Sequence, residues 1–187
     1  MAKEFQRQYY TKCQACKDKD KCGWHEVTEN GIILDCKAFY YVFCDLENKD
    51  RNPVGDPEEM RKFHKEAEKR VFVTPALVTN GILAVELALK YLTYKENRTF
   101  DCIHDISDLF YSLPEIHRNE LESLLKKKTH QNDATLRTNL NQIRDFFVQW
   151  RYFFEQPAIG YSNFLLDSIH VICDYACEIY DNRMMTD

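Results

Sequence analysis

The sequence predicts an all-α protein, an up-and-down helical bundle, on three observations. Glycine and proline are sparse, at five residues each in a chain of 187. Leu, Lys, Glu and Ala are plentiful, and long stretches repeat apolar residues with the 3.6-residue period of a helix. Hydrophobic residues make up 44% of the chain, which is enough for one core, so disorder of the whole chain is excluded.

Seven helices are predicted, separated by turn signals. They span residues 29–47, 57–71, 75–95, 105–113, 114–128, 134–155 and 161–183. Thr28 is the expected N-cap of the first helix, and Asp56 before Pro57 starts the second, since a capping side chain precedes a proline in the first turn. Residues 1–26 have mixed charges, clustered cysteines and no helical period. We therefore expect an irregular cysteine-rich arm there, and the bundle over 27–187.

The third helix is expected to lie at the centre of the bundle, because apolar residues leave it almost no polar face. Thr74 and Pro75 are interpreted as its start. At 100° per residue its polar side chains share a stripe about 60° wide. These side chains are Thr79, Glu86, Lys90 and Thr93. Further along, Pro114 opens the fifth helix, and QPAIG at 156–160 separates the last two.

Composition also limits the location and partners of the protein. The net charge is -5, which argues against a surface that grips nucleic acid over its whole area. No apolar run of membrane-spanning length occurs, and the first ten residues, MAKEFQRQYY, lack the apolar stretch of a signal peptide. A cytoplasmic protein without membrane contact is therefore expected.

Three segments carry a family resemblance. They are NGILAVELALKYL at 80–92, HDISDLFYSL at 104–113 and FFVQWRYFFE at 146–155. Together, over about residues 71–180, they resemble the HEPN-like helical proteins of prokaryotes. The resemblance implies a bundle of four to five helices with its core at about 71–183, frequent homodimers, and roles in toxin-antitoxin systems, phage defence and RNA processing. A possible protein partner and association with RNA or a nucleotide follow from it.

The catalytic signature of that family is incomplete in this chain. Catalytic members resemble metal-independent ribonucleases with an arginine followed four to six residues later by a histidine. Arg151 supplies the arginine, but Gln156 stands at the first histidine position, and glutamine cannot exchange the protons that cleavage through a 2′-hydroxyl requires. A non-catalytic binding or regulatory protein is expected. The alternatives are a divergent dimeric ribonuclease using Arg151 with Glu155, and a domain that binds a small anionic ligand.

The candidate binding residues are polar side chains next to apolar ones. They are Glu86, Lys90, His104, Asp105, Arg144 and Arg151. On the predicted 134–155 helix, Arg151 either holds a phosphate or forms an ion pair with Glu86 or Glu155. The spacing of Glu86 and Lys90 predicts an i,i+4 pair, which faces either a polar cavity shared with Arg151 or water.

Adjacent His104 and Asp105 allow a metal-hydrolase interpretation, because such pairs occur in HD phosphohydrolases. The remaining histidines show no spacing that would complete a metal site of that kind. Asp105 also has a simpler role as the acidic residue that caps the 105–113 helix.

The arm has its own candidate ligands. Cys13, Cys16, Cys22 and His25 would satisfy a tetrahedral structural zinc, and Cys36 could replace His25. An iron-sulfur cluster on the three cysteines and a reduced arm without metal are the alternatives. The other cysteines lie in or beside apolar runs, where thiols pack as small hydrophobic groups. No cofactor is required by any of the preferred interpretations.

Overall fold

A computed structural model describes residues 28–50, 67–100, 103–144 and 163–185, which contain six helices. These are α1 (Glu29–Asp50), α2 (Ala67–Asn97), α3 (Ile106–Tyr111), α4 (Glu115–Thr129), α5 (Asp133–Gln142) and α6 (Asn163–Met184). No strand occurs within these four ranges, so the all-α class is confirmed for them. The arm predicted over residues 1–26 lies outside them.

The first helix begins as the sequence predicts. The Thr28 hydroxyl oxygen accepts a hydrogen bond of 2.9 Å from the Gly31 backbone N–H, and the Thr28 carbonyl accepts one of 3.1 Å from Ile32. These bonds satisfy backbone donors of the first turn, which have no partner within the helix. The helix continues to Asp50, three residues past its predicted end.

The predicted break at Thr74 and Pro75 is wrong, because α2 passes through both residues without interruption. Proline inside a helix lacks a backbone donor and crowds the carbonyl four residues earlier, which costs about 3 kcal/mol. Leu77 and Val78, two and three residues after the proline, are buried, and their burial offsets that cost. The predicted start of the 57–71 helix at Asp56 lies outside the described residues.

The short helices are held by side-chain caps. Asp105 Oδ1 accepts a 3.0 Å bond from the Asp108 backbone N–H and caps α3, as expected, and Asn132 caps α5 in the same way through the Thr135 N–H. The helix predicted over 134–155 is wrong at residue 144, because α5 ends at Gln142 and Arg144 lies in the following turn. The Arg144 carbonyl instead accepts a bond of 3.3 Å from Ile106 N–H. Residues 145–155 lie outside the described ranges.

Helix α2 packs against α1, α3 and α6, while α4 packs on α6 and α5. Close approach of α1 and α6 to α2 depends on Gly81. A Cβ at this position would lie 2.5 Å from Ile169 Cδ1 and 2.8 Å from Phe43 Cδ2, so any larger residue would force these side chains to shift. The expectation that no apolar run of membrane-spanning length occurs is wrong within the described residues, because Pro75–Asn97 is long and apolar enough to span a membrane. Of its apolar stretch, 72% is buried, as in a core helix.

Buried polar groups connect the helices that meet around α4. The His117 side chain is 4% exposed, its Nδ1 lies 2.9 Å from the Tyr175 hydroxyl of α6, and its Nε2 lies 3.3 Å from Glu96 Oε1 of α2. Burial lowers the pKa of His117 because it disfavours the imidazolium, although Glu96 opposes this shift. The folded chain therefore favours neutral His117.

This shift predicts that the chain loses stability in mild acid. A histidine whose pKa is lower in the folded chain stabilises it fully above the unfolded value of about 6.5, and that contribution disappears as the pH falls through this region. Between about pH 7.5 and pH 5, the melting temperature of the wild type should fall more steeply than that of His117→Asn. His130→Asn, at an exposed position, should keep the wild-type slope. Equal slopes for all three proteins would refute the assignment.

Candidate functional site

The polar stripe of α2 is buried and internally paired. Lys90 Nζ donates a 2.6 Å hydrogen bond to Glu86 Oε1, which confirms the predicted i,i+4 pair. Glu86 is 5% exposed and Lys90 7%, so the stripe is not an edge of the helix left in water. The Lys90 ammonium also lies 5.6 Å from the centre of the Phe100 ring, within the range of a cation-π contact. A carboxylate and an aromatic face therefore compensate the burial of this lysine.

His104 joins the pair from the segment that precedes α3. Its Nδ1 lies 3.0 Å from each carboxylate oxygen of Glu86, across 18 residues of sequence. Because an ionised carboxylate only accepts hydrogen bonds, Nδ1 carries the hydrogen. The His104 side chain is 58% exposed and that of Glu86 only 6%. The three residues form a polar cluster that extends from the interior to the surface, which we call the α2 cluster.

Next to His104, Asp105 forms a second ion pair. Arg144 Nη2 lies 2.7 Å from Asp105 Oδ2, while the other Asp105 oxygen caps α3. Together with the bond from Ile106 N–H to the Arg144 carbonyl, this pair fixes the turn after α5 beside the start of α3. The sequence predicts Arg144 within the 134–155 helix, and the structure instead places it in the turn after α5, paired with Asp105.

Formal charges in this region are balanced. Lys90 is matched by Glu86 and Arg144 by Asp105, so the net charge of the five side chains depends on whether His104 is protonated. The groups that extend furthest towards solvent are His104 and Arg144, the latter 49% exposed. The Arg144 guanidinium donates hydrogen bonds, and His104 Nε2 donates one when the ring is doubly protonated, so a phosphate or carboxylate ligand would meet these groups first. A carboxylate that is hydrogen-bonded to an imidazole also supports proton transfer by that imidazole.

Several candidate residues fall outside the described ranges. These are Arg151, Glu155, Cys13, Cys16, Cys22 and His25. Cys36, the proposed substitute ligand, is fully buried in α1 and its thiol donates to the Ala84 carbonyl at 3.3 Å. Hydrogen bonding with Cys173 and burial raise the pKa of the Cys36 thiol. Across the part of the chain that the structure describes, no group of three or more His, Cys, Asp or Glu side chains is arranged to hold a metal ion.

Sequence reasoning identified five of the six residues in this region. It missed Phe100, which covers the Lys90 ammonium, because an isolated aromatic residue after a helix carries no signal of its partner. It also missed the contact between His104 and Glu86, since no helical period relates residues 18 positions apart.

Burial of the ion pair predicts strong energetic coupling between Glu86 and Lys90. Replacing Glu86 leaves Lys90 buried without its counter-charge, so Glu86→Leu should destabilise by about 3–5 kcal/mol. Lys90→Met should cost less, because His104 still bonds the Glu86 carboxylate. The double variant should cost clearly less than the sum of the two, by denaturant unfolding. Lys126→Met, at an ion pair on the surface, should leave stability nearly unchanged. Additive single effects would contradict the buried pairing.

Comparisons of the chain with protein-family models, with curated proteins and with solved structures find no match. The fold and the site described above therefore rest on the residues of this chain alone.

Proposed function

We propose that the chain is a HEPN-like helical binding or regulatory protein, and that the α2 cluster with Asp105 and Arg144 is its ligand site. The ligand class is RNA or a nucleotide, recognised through phosphate. By the same resemblance, the protein acts in a bacterial or phage-related defence or toxin-antitoxin setting, as a cytoplasmic homodimer. Separately, its N-terminal arm is proposed to bind a structural zinc.

One observation carries this proposal. Two of the three sequence segments that resemble the family contribute their polar residues to a single cluster. Glu86 and Lys90 come from the first segment and His104 from the second. Lys90 Nζ lies 2.6 Å and His104 Nδ1 3.0 Å from the Glu86 carboxylate. Amphipathic helices alone would not require polar residues of both segments to meet, so their convergence supports a shared role.

The balance of positive and negative charges limits the affinity of the proposed site for an anion. A phosphate would compete with Glu86 and Asp105 for the cationic groups, so single-site affinity should be modest and sensitive to salt. Arg144 offers a planar guanidinium, and His104, whose Nδ1 hydrogen is directed at Glu86, donates to a phosphate oxygen through Nε2 when both ring nitrogens carry hydrogen. These donors suit a phosphate oxygen better than a bulky apolar ligand. Arg151, the arginine of the family signature, is proposed to supply the surplus positive charge that an anion requires.

Phosphate recognition by Arg144 and His104 can be tested by direct binding of RNA. Arg144→Ala and His104→Asn should each weaken binding of a fluorescently labelled single-stranded RNA about tenfold, measured by anisotropy at low salt, because each loses a charge-assisted hydrogen bond. Arg137→Ala provides a matched control, as an exposed arginine on α5 that packs on the Tyr111 ring. Equal affinity of all three variants and the wild type would exclude this site. Thermal shifts with a nucleoside triphosphate but not with RNA would favour the small-ligand alternative.

A second candidate function, a divergent ribonuclease, has one specific observation in its favour. The exposed imidazole of His104 is hydrogen-bonded to the buried Glu86 carboxylate. A carboxylate that orients an imidazole is a recurrent device for general acid-base catalysis. His104 could thus take the role for which Gln156 is unsuited, with Arg151 as the phosphate-binding residue.

The ribonuclease alternative predicts cleavage of labelled single-stranded RNA in the presence of EDTA. His104→Asn keeps a hydrogen-bond donor towards Glu86 but removes the titrating group, so it should slow cleavage by about 10²–10⁴-fold. His130→Asn makes the same chemical change at an exposed site and should cleave like the wild type. Absence of cleavage by the wild-type protein would reject this alternative and leave the binding function.

A further inference from the structure

A second polar network joins α1 to α6 on the other side of the bundle. Tyr40 and Glu47 belong to α1, and His170 and Asp174 belong to α6. The Tyr40 hydroxyl lies 2.7 Å from Asp174 Oδ1 and 2.8 Å from His170 Nδ1, and His170 Nε2 lies 3.0 Å from Glu47 Oε2. The His170 ring also packs edge-on against Phe43, with centroids 5.2 Å apart.

The hydrogen atoms of this network can be counted. The Tyr40 hydroxyl has one hydrogen, and an ionised Asp174 can only accept, so that hydrogen lies between Tyr40 and Asp174. His170 Nδ1 must then carry its own hydrogen to bond with the Tyr40 oxygen. Glu47 is also an acceptor, so Nε2 requires a hydrogen too. All three contacts are hydrogen bonds only when both ring nitrogens of His170 are protonated.

A neutral His170 leaves one contact unsatisfied. With the hydrogen on Nε2, the Nδ1 lone pair faces a Tyr40 oxygen whose hydrogen is directed at Asp174. With the hydrogen on Nδ1, the Nε2 lone pair faces the Glu47 carboxylate. Each arrangement places two acceptors about 3 Å apart, which is repulsive, and also removes a charge-assisted bond.

We propose that this network is a proton-dependent clamp, which holds α1 against α6 when His170 is protonated and weakens when His170 loses a proton. The device is independent of the α2 cluster and of the function proposed for it. It would make the docking of the first helix sensitive to pH in the range where imidazole titrates.

The surroundings of His170 are consistent with this role. The titratable side chains closest to the network are Tyr40, Cys44 and Glu47 on α1, and Cys173 and Asp174 on α6. Lys128 of α4 reaches α6 at Asp167, 3.8 Å away and three residues before His170. Burial, with support from Asp174, raises the pKa of Tyr40, so its hydroxyl keeps the hydrogen that the count requires. Glu47 thus meets the imidazole directly, and Asp174 meets it through the Tyr40 hydroxyl.

The clamp predicts a pH-dependent difference between the wild type and His170→Asn. Asparagine cannot titrate, and its loss of packing on Phe43 costs the same at every pH. The melting temperature of the variant should therefore lie further below the wild type at about pH 5.5 than at about pH 8.5, with a change in the difference of roughly 3 °C. His117 titrates equally in both proteins and cancels in the comparison. His130→Asn should show a difference independent of pH.

The protonation of His170 can also be measured in the wild-type protein, so the test does not depend on whether a variant folds. Long-range ¹H-¹⁵N spectra of the imidazoles distinguish doubly protonated rings from neutral ones. At the pH where His130 is half-titrated, His170 should still show hydrogen on both nitrogens, and Tyr40→Phe should reduce that fraction. A His170 ring that is neutral at this pH, or a difference in melting temperature that is constant or grows with pH, overturns the proposal.

Discussion

The structure depends on the burial of α2 on nearly all sides. Its apolar residues must leave water, and the stabilisation from burying them exceeds the cost of keeping Pro75 within the helix. Glu86 and Lys90 lie on the same helix as these apolar residues and are therefore buried with them. A charge in such surroundings is tolerated only with a partner, so the pair, the Phe100 ring and His104 form one connected arrangement. The polar site is thus a consequence of the position of α2 in the core.

Three histidines each connect two parts of the structure through a contact with a carboxylate. His104 contacts Glu86 of α2, His117 contacts Glu96 of α2, and His170 contacts Glu47 of α1. In each case an imidazole from one element meets a carboxylate from another. The chain has more acidic than basic residues, 30 against 25, so imidazoles provide additional donors for carboxylates between helices. Because burial lowers the pKa of His117, the packing around this residue is linked to proton concentration.

The two histidines of the core differ in the proton state that favours folding. His117 is almost fully buried, has one carboxylate near its edge, and is stabilised in its neutral form. His170 is hydrogen-bonded to Glu47 directly and to Asp174 through Tyr40, and the full set of bonds requires hydrogen on both ring nitrogens. Burial and hydrogen-bond count thus act in opposite directions on the same type of side chain. His104, in contrast, is largely exposed, which suits a residue that meets a ligand.

The sequence by itself determined what depends on neighbouring residues. The helical class, the caps at Thr28 and Asp105, and the pair of Glu86 and Lys90 all follow from interactions within four residues, and these are confirmed within the described ranges. Tertiary structure decided the rest. Pro75 remains inside α2 because distant helices bury Leu77 and Val78 after it, and α5 ends at Gln142 because Arg144 bonds to Asp105 and Ile106. His104 reaches Glu86 for the same reason, since packing energy between elements is not encoded in any local period of the chain.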